Sequence, residues 1–372
     1  MTKAKILVTA AAGHTGSQAV MQLLEKGFPV RAFVRRKDAR AIRLEQAGAE
    51  LFVGDGLDYR DVRASMAGVQ RAYHCPPLAL NLLHNTMLFA VAAEDAKLEV
   101  VALMSQWTPH PTHPSVVTRE HWLSNQIYRW MPSVEVVHIN PGLFAFTYFL
   151  GLQAIAHFGQ FMAPFGDGLN APPSNEDIAR VVTGVLADPA AHIGKSYRPT
   201  GPALISPEEA AEIFGHVLGR DVRYKDVPFK IFTKAAVAQG FSLLELSQLR
   251  YYVEDIKSGA FAAGGPTDHV LEVSGQAPED FEAIARRYID NPALVHASIR
   301  IGSKAQAIRF LVKMLVTKAP DLDGWERDRG YPLLGDAVLA EASSEWRESA
   351  GRQQLNLMPD AQSKAPQVAL SA

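Results

Sequence analysis

Up to Ile139 the chain alternates between short apolar runs and longer amphipathic stretches. Several of the apolar runs consist almost entirely of Val, Leu, Ile and Ala, which is typical of strands covered on both faces. The amphipathic stretches between them predict crossover helices, and therefore a doubly wound α/β fold with a parallel sheet. The predicted strands are Lys5–Ala10, Pro29–Val34, Ala49–Gly54, Arg71–Cys75, Glu99–Met104 and Val134–Ile139.

Between residues 151 and 290 the pattern is less regular, but helix caps are still legible. A serine cap followed by acidic residues predicts a helix over 174–188, and we expect it to pack on the N-terminal sheet. Ser206 and Glu209 form a capping box for a second helix, which Gly219 is predicted to end. These helices carry no chemistry of their own.

The stretch "IRIGSKAQAIRFLVKMLVTK" (299–318) predicts a basic amphipathic helix. Such a helix can lie on a membrane surface, or it can cover an apolar patch or a neighbouring subunit of a homo-oligomer. The last residues, 353–372, read as a frayed tail. We therefore divide the chain into regions 1–150, 151–290 and 291–372, the last being a helical extension.

Composition narrows the functional classes. The chain has 372 residues, of which 48% are hydrophobic, and its formal charge is −2. This balance argues against nucleic acid as the main partner. No apolar run approaches the roughly 20 residues that span a bilayer, and no signal peptide is evident, so we expect a cytoplasmic protein without a membrane span. Cys75 is the only cysteine, which excludes an intrachain disulfide.

"VTAAAGHTGSQAV" (8–20) resembles a dinucleotide-binding loop between a strand and a helix. Ala10, Gly13 and Gly16 hold the spacing G-x-x-G-x-x-G, with alanine in place of the first glycine. Gly13 would let the backbone approach a pyrophosphate, and Gly16 would let the helix pack close to the sheet. The methyl group of Ala10 is tolerable at negative φ and costly at positive φ.

Basic residues follow the second predicted strand, where NAD-binding sites usually carry a carboxylate. Arg35 and Arg36 favour NADP(H), because a guanidinium can hold the 2′-phosphate with two charge-assisted hydrogen bonds. A solvated basic loop is the alternative. Asp55, after the third strand, can accept from the adenine amino group or cap a helix, although Asp58 is the better cap.

Together these motifs resemble the NmrA-like branch of the atypical short-chain dehydrogenases/reductases. Further matching segments are "AELFVGDGLD", "VALMSQ", "INPGLF" and "NEDIARVVTGVLAD". The resemblance implies a Rossmann-like domain that binds NADP(H) and a smaller C-terminal substrate region. Members include NADPH-dependent quinone and azo reductases as well as redox-sensing regulators that bind the cofactor without turnover.

The resemblance also assigns residues by position. It implies that the phosphate loop includes His14 and Thr15, and that Ser105 lies near the nicotinamide. Further matches are Cys75, Pro76 and Pro77 on the adenosine side and Pro141, Gly142 and Phe144 at the nicotinamide pocket.

The chain departs from this pattern at the proton donor. No Y-x-x-x-K occurs, although classical short-chain dehydrogenases use that pair. His121 is our first candidate donor, because histidine titrates near neutral pH, although a lone histidine can equally be a packing residue. Ser105 could orient a substrate oxygen, and Tyr128 is a weaker candidate.

Two further groups of side chains bear on the site. His110 and His113 could begin a metal site that His121 joins, but the prolines around them favour a constrained loop, and we predict no metal. Aromatic residues could form a pocket for a planar substrate, with core packing as the competing interpretation. They are Trp107, Trp122, Phe144, Phe146, Tyr148 and Phe149.

The sequence thus favours an NADPH-dependent oxidoreductase of a small planar acceptor of quinone, azo or enone type. The alternative is a redox sensor that binds NADP(H) without turnover. An isomerase or dehydratase with a permanently bound cofactor is a third class that stays open. The sequence does not identify the substrate.

Overall fold

The computed structural model of the chain describes residues 3–291, 300–331 and 334–352. The tail predicted over 353–372 lies outside the described residues. The boundaries at residues 150 and 290 stay predictions.

All six predicted strands are present, trimmed by up to two residues at their ends. The strands are β1 (Ile6–Val8), β2 (Val30–Val34), β3 (Glu50–Val53), β4 (Arg71–His74), β5 (Val100–Met104), β6 (Glu135–Ile139), β7 (Gln160–Ala163), β8 (Ser196–Tyr197) and β9 (Arg223–Asp226). Seven of them form one sheet in the order β3-β2-β1-β4-β5-β6-β8, and every pair is parallel. The predicted α/β fold with a Rossmann-like parallel sheet is confirmed.

Helices connect and cover the strands. Those of the N-terminal half are α1 (His14–Glu25), α2 (Ala39–Gln46), α3 (Tyr59–Ser65), α4 (Leu82–Ala96), α5 (Val116–Arg129), α6 (Leu152–Phe158) and α7 (Asn175–Ala187). Those that follow are α8 (Pro207–Leu218), α9 (Phe229–Gln239), α10 (Leu243–Lys257), α11 (His269–Ser274), α12 (Phe281–Asp290), α13 (Lys304–Val316), α14 (Leu322–Asp328) and α15 (Ser344–Arg352). None of the helices in the described part of the chain could cross a bilayer by its length and apolar character.

The two faces of the sheet have separate cores, because alternate strand residues point in opposite directions. On one face, Ile6 and Val8 of β1 pack with α1 and with Ile178 of α7. On the other face, Leu7 packs with α4 and α5, including the fully buried Tyr128. Helix α7 therefore covers the N-terminal sheet although it comes after β6 in sequence.

The predicted helix caps are confirmed. They were predictable from sequence because they depend on contacts within one turn of the chain. Ser174 caps α7 by accepting from the amide of Asp177. Ser206 and Glu209 form the predicted capping box at the start of α8, and Gly219 ends that helix at a φ of +62°.

The C-terminal half has its own core, which is rich in aromatic side chains. Tyr148, Phe149, Phe214 and Phe281 are buried there against one another. A two-stranded parallel sheet of β7 and β9 lies beside this core. This second sheet and the two-residue strand β8 are not among the elements that the sequence predicted.

Residues 338–346 reach back to the loop after β5 and hold it. The amide of Val338 donates to the carbonyl of Thr112 (3.2 Å), and the indole N–H of Trp346 donates to the carbonyl of Trp107 (3.2 Å). The guanidinium of Arg198 lies 4.2 Å from the Trp107 ring centroid and 5.4 Å from that of Trp346. The extension is therefore part of the support of this loop.

Candidate active site

The strand order creates a crevice at the carboxyl ends of β1 and β4. After β1 the chain builds β2 and β3 on one side and then returns to place β4 on the other. Ligands of doubly wound folds bind at this kind of reversal, because the loops diverge there. The predicted phosphate loop leaves β1 at this point.

The phosphate loop leads directly into α1. Gly13 is the N-cap residue, and it has no side chain that could cap the helix. The first turn also carries no acidic residue. The backbone N–H groups and the dipole of α1 therefore suit an anion at this end of the helix.

Ala10 adopts a left-handed conformation, with a φ of +47°. This is the costly case for alanine, because its Cβ crowds the backbone where glycine would not. We expect Ala10→Gly to raise the free energy of unfolding by about 1 kcal/mol. Chemical denaturation of both proteins measures this, and an unchanged or lower value would show that the loop relaxes.

Gly16 lies against the same loop from the helix side. A Cβ placed on Gly16 would lie 2.3 Å from the carbonyl oxygen of Ala10, which leaves no room for a side chain. Thr15 is buried, and its hydroxyl lies 3.1 Å from that of Tyr73 in β4. The Thr15 side chain thus ties α1 to the sheet.

The basic loop after β2 separates into paired and unpaired side chains. Arg36 forms an ion pair with Asp38 at 3.8 Å, and Lys37 forms one with Glu45 at 2.7 Å. Arg35 is exposed directly after β2 and makes no ion pair within the described ranges. The ion pair of Arg36 is long, and its side chain is 78% exposed, so Arg35 is the better placed of the two predicted arginines and not the sole one that could reach a phosphate.

Asp55 and Asp58 were both considered as the cap of α3, and Asp55 also as a partner of the adenine. Asp58 caps α3 by accepting from the amide of Arg60, as expected. Asp55 is exposed after β3, and its carboxylate accepts from the amide of Leu57 at 2.9 Å. Asp55 is therefore not the helix cap, and its place beside the crevice keeps the adenine role as a prediction.

The loop after β4 is held by Thr9, whose hydroxyl oxygen accepts from the Cys75 amide at 2.9 Å. Burial raises the pKa of the Cys75 thiol to about 11. Pro76 lines the cleft described next, whereas Pro77 is exposed and lies outside its lining.

A cleft of about 560 Å³ opens beside the loop and α1. Pro141, Gly142 and Phe144 line it, and their role at the nicotinamide stays a prediction. His14 stacks on Phe146 with ring centroids 5.2 Å apart. Its polar lining includes Ser105, Gln106 and His121. Each of these side chains is over nine-tenths buried and keeps an atom with no hydrogen-bond partner among the described residues. Such groups are suited to a ligand that supplies the missing partners.

His121 is in the cleft, but its charge state differs from the prediction. Burial lowers the pKa of His121 to about 4, so the ring is neutral at neutral pH. The expectation of a side chain that titrates near neutrality is therefore wrong. A neutral imidazole can still orient a substrate through a hydrogen bond.

Tyr128 does not reach the cleft. Its hydroxyl contacts Nδ1 of His74 in the core between the sheet, α4 and α5. His74 in turn stacks on Phe89, with ring centroids 4.0 Å apart. The weaker candidacy of Tyr128 as a catalytic residue is thereby corrected, since a core hydroxyl on this face cannot contact a substrate.

The histidine pair of the loop after β5 is also internal. His113 donates from Nε2 to the fully buried Asp255 at 3.0 Å, because its Nδ1 accepts from the Ser115 amide. His110 lies beside it, with ring centroids 5.1 Å apart. Among the residues described here, no group of three or more His, Cys, Asp and Glu could hold a metal ion.

The aromatic residues proposed for the pocket also separate. Phe144 and Phe146 line the cleft. Trp107, Tyr148 and Phe149 belong to the C-terminal core, and Trp122 is not part of the lining. For these four residues the pocket prediction is wrong. Trp107, Tyr148 and Phe149 instead follow the competing interpretation of core packing, because an aromatic side chain suits a core as well as a cleft.

The far wall of the cleft was missed by sequence reasoning. It consists of residues from α9, the turn after it, α10 and α12: Gln239, Gly240, Phe241, Glu245, Gln248, Leu249, Tyr252 and Tyr288. They are more than a hundred positions from the phosphate loop, and no local motif marks them. Gln106 was also missed, although it adjoins Ser105.

Fold and cleft define a Rossmann-like α/β protein with a nucleotide-type crevice. Residues 2–125 match the model of the NmrA-like family, which confirms the resemblance for this part of the chain.

The chain is also similar to two reductases and to a transcriptional regulator. It is 27% identical over 286 residues to an NAD(P)H azoreductase of Xenophilus azovorans, covering 76% of this chain and 97% of that protein. An NADPH-dependent quinone oxidoreductase of Escherichia coli, solved with NADPH, superposes with a TM-score of 0.67 at 20% identity, covering 77% and 100%. The negative transcriptional regulator NmrA, solved with NADP, gives 0.64 at 17% identity, covering 80% and 100%.

Proposed function

We propose that the protein is an NADPH-dependent oxidoreductase that reduces a small planar acceptor of quinone, azo or enone type. One observation carries this proposal. A single cleft brings the phosphate loop at α1 together with Ser105, Gln106 and His121, three buried side chains that still need partners. The azoreductase likeness over most of both chains supports the same class.

The residues present fit the cofactor. The uncapped N-terminus of α1 would hold the pyrophosphate, and Arg35 would hold the 2′-phosphate. Asp55 would lie near the adenine, and the segment from Pro141 to Phe144 would flank the nicotinamide. NADPH, when bound, supplies a hydride, and the protein is left to orient the acceptor and handle the proton.

Ser105 and His121 orient an acceptor rather than protonate it. The Ser105 hydroxyl can donate to an acceptor oxygen or nitrogen, and neutral His121 can donate from a ring nitrogen. Phe144 and Phe146 offer flat apolar surface to a planar ring. Because no Tyr/Lys pair is present, an acceptor whose reduced form takes protons from water suits the site better than a ketone.

Turnover is the direct test. The protein is mixed with NADPH and a panel of quinones, azo dyes and enones, and NADPH absorbance is followed. Oxidation that depends on one acceptor class supports the proposal. Tight NADPH binding without turnover would instead support the cofactor-binding sensor, a function favoured by the absence of a Tyr/Lys pair and by the neutral His121.

We expect Arg35→Asp to weaken NADPH binding by about a hundredfold while changing NADH binding by less than about threefold, because only NADPH carries the 2′-phosphate. Calorimetric titration with both dinucleotides measures this. Arg36→Asp is the matched control, since Arg36 already pairs with Asp38 and should affect selectivity much less. If Arg35→Asp lowers the affinities for NADPH and NADH equally, Arg35 does not bind the 2′-phosphate.

A further inference from the structure

Helix α13 presents apolar residues both to the protein and to solvent. On its inner side, Phe310, Leu311 and Met314 line an apolar cavity with residues of α6 and α9. On its outer side, apolar residues at positions i, i+4, i+7 and i+8 form a continuous face. They are Ile308, Val312, Leu315 and Val316, which are 49%, 55%, 68% and 80% exposed.

The charged residues of α9 and α13 all have one sign. Helices α9 and α13 contain five lysines and arginines and no Asp or Glu: Lys230, Lys234, Lys304, Arg309 and Lys313. Helix α6, which also packs on α13, carries no carboxylate. Because the whole chain has a formal charge of −2, this concentration of cations is a local feature. We call the outer face of α13, the exposed Ile231 of α9 and these five cations the α9–α13 surface.

The α9–α13 surface is held in place by its own lysines. Lys234 of α9 donates to the carbonyl of Leu315 at 2.9 Å, and Lys313 of α13 donates to that of Ala238 at 2.5 Å. Ser303 and Gln306 form a capping box that starts α13. The helix is therefore formed before any partner arrives, which lowers the entropic cost of binding.

From this surface we propose that the protein docks peripherally on an anionic lipid bilayer. Aliphatic side chains flanked by Lys and Arg on one helix are the signature of a helix that lies in the membrane interface. Anionic headgroups complement the five cations, and each cation near the membrane surface adds about 1 kcal/mol. A protein interface would be enriched in aromatic residues and depleted of lysine, whereas four of these five cations are lysines.

The proposed docking surface is adjacent to the cleft. Gln239, at the end of α9, donates to the carbonyl of Leu150 at 2.8 Å, and both residues line the cleft as well as the cavity behind α13. The docking proposal does not depend on turnover, and its test uses no substrate.

The test is cosedimentation of the full chain with extruded vesicles. We expect binding to vesicles of equal parts phosphatidylserine and phosphatidylcholine, little binding to pure phosphatidylcholine, and release by added NaCl. Arg309→Gln should lower the partition coefficient about fivefold. Val312→Asn/Leu315→Asn should lower it at least about tenfold, because the aliphatic contacts with the interface are lost.

Val91→Asn is the matched control for the apolar variant. Val91 of α4 and Val312 of α13 are both 55% exposed valines in helices, so only their location differs. Far-ultraviolet circular dichroism and NADPH binding should be unchanged in every variant. The proposal is overturned if the wild type does not prefer phosphatidylserine, or if Val91→Asn loses as much binding. It is also overturned if the wild type ignores both vesicles and forms a dimer that Val312→Asn/Leu315→Asn dissociates.

Discussion

Replacing Gly16 by alanine should weaken NADPH binding by on the order of a hundredfold, the largest effect we expect from a single methyl group. The added Cβ would lie 2.3 Å from the carbonyl oxygen of Ala10 and 2.9 Å from its carbonyl carbon. Both neighbours are backbone atoms of the phosphate loop, so the loop itself must move. Its displacement takes the α1 amides out of reach of the pyrophosphate.

Calorimetric titration with NADPH measures this loss, and circular dichroism checks that the variant is folded. Gly151→Ala is the matched control, because a Cβ at Gly151 meets no atom within 4 Å and its φ is −96°. Unchanged affinity in Gly16→Ala would mean that the cofactor does not use this helix terminus, and the proposed function would lose its main support.

The second large effect is a loss of stability at acidic pH. We expect the free energy of unfolding to fall by several kcal/mol between pH 7 and pH 5. Burial lowers the pKa of His74, His110 and His138 to about 3, and that of His121 and His269 to about 4. All five side chains are buried, so solvent screens these shifts little.

The direction follows from the unfolded state, where histidine has a pKa of about 6.5. Below that pH these histidines are protonated in the unfolded chain but stay neutral in the folded chain. Stability from each histidine is thus present above pH 6.5 and is lost as pH falls toward the folded pKa, by about 1.4 kcal/mol per pH unit. Glu120 has the opposite effect, because burial raises its pKa to about 7. As the pH falls, its carboxylate is protonated more readily in the folded state, so it offsets the loss of stability from about one histidine.

Guanidinium denaturation at several pH values between 8 and 5 measures this dependence. His138→Leu should reduce the dependence of the free energy of unfolding on pH by the contribution of one histidine. This side chain lies in β6, and its buried Nδ1 has no partner in the described chain. His84→Gln, at an exposed position of α4, is the control for replacing a histidine outside the core. A free energy of unfolding that is flat from pH 7 to pH 5 would contradict the burial of these rings.

The parts of the fold that were predictable depend on local patterns. The six strands of the N-terminal sheet are apolar enough to stand out, and the caps at Ser174 and Ser206 act within one turn. Strand β8 has two residues, which is too short for any periodicity, and it exists because β6 offers an edge to pair with. The β7–β9 sheet likewise depends on contacts between distant segments.

In the candidate site, too, the parts that depend on local patterns were predictable and the parts that depend on packing were not. The phosphate loop and Arg35 were legible because a dinucleotide is held by backbone spacing and a strand end. The pKa of His121 and the core location of Tyr128 were not. The two residues are seven positions apart and so share one face of α5, and only tertiary packing decides that His121 reaches the cleft while Tyr128 reaches the core. Tyr252 and Tyr288 reach the cleft only through the packing of α10 and α12.

The contact of Trp346 with the loop after β5 constrains how this protein can be shortened. A quarter of the chain has no counterpart in the azoreductase alignment, which invites trimming to that length. If the cut removed Trp346, the Trp107 carbonyl would lose its indole donor, and the Arg198 guanidinium would lose one of its two stacking rings. Expression boundaries for crystallisation, and any chimera with a shorter reductase, should therefore keep the polypeptide through this tryptophan.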